Sequence, residues 1–212
     1  MSNILEKTVS QATKAHTEIG RIEIGLFNRV IINDFLLYDQ KGDTLLYASK
    51  LSASVDLVPL LKGRLSFSAA QLFNPLINLS RDDESAPLNC QFVFDALKSD
   101  SSKESRTPDI SIRSLIIRRG QFRYNLLSTP PTSSSPFDHI SLHNLSAHLM
   151  FDMHPEATDL YLKRLSFSQT AAPSLKALSF RMKATGRNID IKRLSLKLNQ
   201  SDITLDARAR LS

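Results

Sequence analysis

The sequence is poor in cysteine, tryptophan and glycine. It holds one cysteine, Cys90, and no tryptophan. A lone thiol closes no internal disulfide and builds no cysteine-rich zinc site. It does not fix the redox compartment either, because proteins without disulfides also occur in oxidising ones. Glycine is scarce, with six residues set singly along the chain, and neither G-x-S-x-G nor G-x-x-x-x-G-K-S/T occurs. That excludes a nucleophile elbow and a phosphate-cradling loop. Apolar runs are short: Leu57 to Leu61 is among the longest, against the roughly 20 residues of a membrane-spanning helix. The opening MSNILEKTVSQATKAH carries no apolar signal-peptide core. A cytoplasmic chain or a part of a longer protein fits these absences. The strand-like ITLDARARLS stops without a turn, so the expectation is an excised part.

What is present suits a folded domain. Apolar residues make up 42% of the 212 and charged residues 23%, enough for one core or two small ones. The net charge of +6 favours nucleic acid or anionic lipid as a partner, or belongs to a solvated face of mixed charge.

Periodicity predicts an all-β fold with a short N-terminal helix and one helical turn. In residues 3–15, Ile4, Leu5, Thr8, Val9 and Ala12 form a helical stripe. From Thr17 the period becomes two: Ile22, Ile24 and Leu26 alternate with Arg21, Glu23 and Gly25. Further strands are read at Val30 to Tyr38, in TLLYASKLSASVDL, in RLSFSAAQLFNPLINLSRD and in APLNCQFVFDAL. Asp39 to Asp43 around Gly42 reads as a turn, Val58 to Lys62 as a brief helical turn, and Pro75 as a bend, bulge or edge. IRSLIIRRGQFRYNL reads as two strand pieces with a break near Arg119-Gly120, and five more strand-like runs follow. The apolar phase slips by one residue at Ala177-Leu178, at Leu162 to Leu165 and at Ile191 to Leu194, which predicts β-bulges or corners. RLSFS at 64–68 and 164–168, RLSLK at 193–197 and RSLII at 113–117 form a weak repeat. The organisation expected is a helical segment 1–16, a first β repeat 17–97, a polar linker or loop 98–108 and a second repeat 109–212 continuing the same sheet.

Reactive constellations are thin. His139 and His143 stand four apart, which suits a metal on a helix; on a strand they lie about 13 Å apart, too far for a shared ion. Asp82, Asp83 and Glu84 read as a solvated run beside Arg81. Neither catalysis nor a cofactor is expected. Arg113, Arg118, Arg119 and Arg123 interleave with Phe122 and Tyr124 as nucleic-acid sites do; if the two aromatics face the core instead, that reading fails, and no nucleic-acid partner is expected.

Four stretches carry a family likeness. Leu37 to Leu46 reads Leu-x-Asp-x-x-Gly-x-x-Leu-Leu. Ala48 to Leu57 alternates small and apolar residues. Leu60 to Gly63 is Leu-Leu-Lys-Gly, and Asn78 to Arg81 is Asn-Leu-x-Arg. SIRSLIIRRGQFRYNL and ISLHNLSAHL match more loosely. From about Ile19 onward the chain thereby resembles the AsmA-like family, and within it the TamB branch. The resemblance implies an elongated, curved, mostly antiparallel sheet, a β-taco, with an apolar inner face that handles phospholipid. It also implies a periplasmic place within an inner-membrane-anchored protein and an outer-membrane assembly partner met through another part of that protein. The groove-lining residues expected are Ile22, Ile24, Leu26, Leu65, Phe67, Ile112, Phe122, Tyr124, Leu142, Leu149, Phe167, Phe180, Met182, Leu196 and Leu205. The competing expectation is a structural or protein-binding β domain with a sealed core. A fragment with an uncovered apolar face is also expected to self-associate.

Overall fold

The computed structural model describes residues 15–26, 29–56, 65–93, 95, 110–132, 135, 137–169, 174–198 and 201–210. The expected N-terminal helix (apart from Ala15 and His16, which are not helical), the helical turn at Val58 to Lys62 and the linker 98–108 lie outside them.

The period-two runs form β1 (Thr17–Gly25), β2 (Arg29–Tyr38), β3 (Thr44–Val55), β4 (Leu65–Phe73), β5 (Leu76–Arg81), β6 (Ile110–Leu126), β7 (His139–Met153), β8 (Thr158–Gln169), β9 (Leu175–Thr185), β10 (Asn188–Lys197) and β11 (Asp202–Arg210). All belong to one sheet, curved and not closed into a barrel, in the order β1-β2-β3-β4-β6-β7-β8-β9-β10-β11. β5 prolongs the line of β4, so that both pair antiparallel with β3 and parallel with β6. Every other pairing is antiparallel.

Local chemistry explains the interruptions. Pro75 has no N–H to give the ladder, and Asn74 before it takes a left-handed φ of 47°. The strand bends there, while Asn74 N donates to Arg118 O at 2.9 Å and Gln121 N to Pro75 O at 2.7 Å. The turn after β2 forms as read: Gly42 has φ 88°, and the Asp39 carboxylate accepts from Lys41 N and Asp43 N, each at 2.9 Å.

Two readings need correction. Gln91–Val93 and Asp95 are helical, not part of a strand. Val93 N donates to Cys90 O at 3.0 Å, and the Gln91 side chain donates to Asp95 four residues on at 3.0 Å. Helical spacing turns Cys90 and Val93 to one side, and both pack, with Phe92, against the core. Arg119-Gly120 is not a break. β6 runs unbroken for 17 residues and absorbs the irregularity as a bulge, with Arg119 at φ 54°.

The predicted phase slips are such bulges. Register shifts occur between Leu162 and Leu165 and between Ile191 and Leu194, and β9 carries an extra residue between Leu175 and Leu178. Others fall between Ile112 and Leu115, Ile117 and Gly120, and Leu142 and Leu145. In each, two consecutive residues oppose one on the neighbouring strand, so both bracketing residues stay on the same face. The two inside turn to the other face: Arg113-Ser114, Arg118-Arg119, His143-Asn144, Lys163-Arg164, Lys176-Ala177 and Lys192-Arg193. The Arg-Leu-Ser repeat at 164 and 193 is the sequence image of this device.

Candidate functional site

Directly paired residues of neighbouring strands share a face, so the register can be followed across the sheet. One row runs Ile22, Ile32, Leu51, Leu72, Ile117, Ala147, Leu165, Leu178, Leu196, Ile203, from β1 to β11 without a polar residue. A second runs Phe67, Ile112, Phe151, Leu160, Met182, Ile191, Ala207. Between them lie Ile24, Val30, Ala53, Ala70, Leu115, Leu149, Leu162 and Phe180. These rows make one continuous apolar face, the candidate site.

The expected lining residues fall on it with two corrections. Phe122 pairs with Leu142 and Tyr124 with Ile140, Phe167 lies across from Leu175, and Leu205 pairs with Leu194. Leu65 pairs with Ile110 at the start of β4. Leu26 is not in a strand; it sits in the turn after β1, 82% exposed, and lines nothing. Ile24 keeps its place in the ladder but is 71% exposed; among the described residues β1 is an edge strand with a neighbour on one side only. Phe151, Leu160, Ile117 and Leu178 belong to the same rows although they were not among the lining residues expected. The signal that locates them is the phase slip at each bulge.

Cover on this face is uneven. Near β1 to β3, Ile19, Ile32, Phe35, Leu37 and Leu45 are buried, and Leu79, Cys90, Phe92 and Val93 pack against them. Burial pushes the Cys90 thiol up, which keeps it a weak nucleophile. On β7 to β10, Phe151, Leu160, Phe180 and Met182 remain half-buried. A sandwich would bury both inner faces; among the described residues, these four side chains of the second half are not fully buried.

The other face is polar. Arg123 pairs with Ser141, opposite in sense to Phe122 and Tyr124 beside it, so the arginines and aromatics of β6 form no stacking platform. His139 bonds Asn125, Thr129 and Pro130, and His143 bonds Ser141. Among the described residues no three His, Cys, Asp or Glu side chains converge as a metal site.

Fold and face together define an open, single-sheet β protein with a long apolar surface. No family model matches the chain, and no curated protein matches it.

Proposed function

We propose that the chain is a lipid-handling part of an envelope-spanning periplasmic protein, built like the AsmA-like family and its TamB branch, and that it has no catalytic role. In this reading its apolar face carries the acyl chains of phospholipid between inner and outer membrane. The parent protein is held in the inner membrane and supports outer-membrane assembly through a partner met by a different part. The carrying observation is the apolar row that crosses ten strands from Ile22 to Ile203, left half-covered over β7 to β10. Each acyl CH₂ taken from water onto such a face contributes about 0.8 kcal/mol, so a surface of this length suits a chain-like apolar ligand.

Native mass spectrometry of the protein purified from bacterial cells, with lipid extraction in parallel, tests the reading. Phospholipid at a defined stoichiometry is expected. Leu178→Asp and Met182→Asp, which put a charge on adjacent parts of the face, should reduce it by about tenfold or more. Absence of lipid, together with no binding of added fluorescent phospholipid, rules the reading out.

One observation favours a second reading, a scaffold domain with a closed core: Cys90, Phe92 and Val93 already cover the cluster under β1 to β3. Lipid-free protein that stays monomeric would support it.

A further inference from the structure

The polar face carries a separate feature that does not depend on the lipid reading. Arg118 and Arg119 of the β6 bulge and Arg164 of the β8 bulge open onto one pocket of about 680 Å³, together with Ser146 and His148 of β7 and Ser166 of β8. The register explains the convergence. His148 stands between Ile116 on β6 and Arg164 on β8, and Ser146 faces Ser166 directly. β6 and β8 flank β7, so their axes lie about 10 Å apart, and arginines from both sides overhang the strand between them. The bulges matter here: each turns two consecutive side chains to this face where a regular strand would turn one.

The site is positively charged. Among the described residues no Asp or Glu lines the pocket. Among the described residues none forms an ion pair with Arg118, Arg119 or Arg164, whereas Arg113 is held by Asp56 at 2.9 Å and Arg208 by Asp190 at 2.8 Å. The Arg118 guanidinium lies 5.8 Å from the centre of the Phe73 ring, which steadies it against the sheet. Ser114 Oγ lies 3.2 Å from His148 Nε2 and helps hold the imidazole. Guanidinium forks match tetrahedral oxyanions in bidentate fashion, and hydroxyl donors add to them.

We propose that this pocket binds a phosphate-type oxyanion, with Arg118, Arg119 and Arg164 supplying charge and Ser146, Ser166 and His148 supplying further donors. A free phosphate and the phosphomonoester headgroup of a lipid present the same chemistry.

The test titrates the full chain at constant ionic strength with inorganic phosphate by calorimetry, and with phosphatidylcholine vesicles containing phosphatidic acid by sedimentation. Saturable binding to at least one probe is expected. Arg118→Gln combined with Arg164→Gln should weaken it about tenfold or more. Arg164→Lys, which keeps the charge but loses the fork, should weaken it several-fold, and Arg208→Gln should leave it unchanged. Binding of free phosphate assigns a soluble ligand; binding of vesicles alone assigns the headgroup. The proposal is overturned if neither probe binds, or if chloride at matched ionic strength gives the same response. It is also overturned if the double variant, with native circular dichroism and melting, binds like the unaltered protein.

Discussion

β1 to β3 and β7 to β10 are written in the same alternating code and reach different ends. In the first region Ile32, Phe35 and Leu37 are buried beneath side chains from residues 90–93. In the second, Phe151, Leu160, Phe180 and Met182 face the same way and stay half-exposed. Alternation therefore decides which face is apolar, and a separate segment decides whether that face is closed. The second region also holds buried residues of its own, Leu145, Ala147, Leu162 and Leu175.

The difference is open to direct attack. Phe35→Ala removes a ring from the closed cluster and should cost about 3–5 kcal/mol, whereas Phe180→Ala on the open region should cost only about 1–2 kcal/mol. Urea titration of both variants measures this, and equal losses would mean that the two regions are covered alike. Next in size is Gly20→Ala in β1. Its Cβ would meet the Asn33 carbonyl oxygen at 2.8 Å, so backbone must move, at about 1–3 kcal/mol. Gly186→Ala, in the turn between β9 and β10, meets nothing within 4 Å and carries only the strain of φ 54°, about 1–2 kcal/mol; paired melting curves rank the two. Smallest is a pH effect in the second region. Burial, and then the nearby Lys163 charge, hold the His148 pKa below its ordinary 6.5. The folded state then binds fewer protons than the unfolded one, so this contribution is fully present above 6.5 and is lost as pH falls through the lower folded value. His148→Gln should flatten the slope of stability against pH below 6.5; an unchanged slope would assign it to other groups.

Much of the sheet was legible because alternation and its slips are local. The slip between Ile191 and Leu194 marked a bulge, and Gly42 marked its turn. The parallel pairing of β4 and β5 with β6 was not legible, since it depends on where the chain returns after a long connection, and no local period records that. The helical residues 91–93 and 95 were misread because a short apolar run fits a strand or a helix equally. The apolar face was legible as a list but not as rows, because a row needs the register. Of the basic pocket, Arg118 and Arg119 stood out as a run, while Arg164 joins them only through pairing across β7.

The bulges also change what an insertion or deletion means in this chain. Removing Arg119 would take out the residue that is supernumerary against β7; the later side chains of β6 would keep their orientation, but the spacing matched by β4 and β5 would be lost. Removing Gln121, two positions on, would turn each later side chain of β6 over, sending Phe122 and Tyr124 to the polar surface and Arg123 to the apolar one. Sequence length along such a strand is thus tolerant at a few named joints and unforgiving everywhere between them. Proteins related to this one are expected to gain and lose single residues at Asn144 and Arg193, and to hold the count constant in the stretches between the bulges.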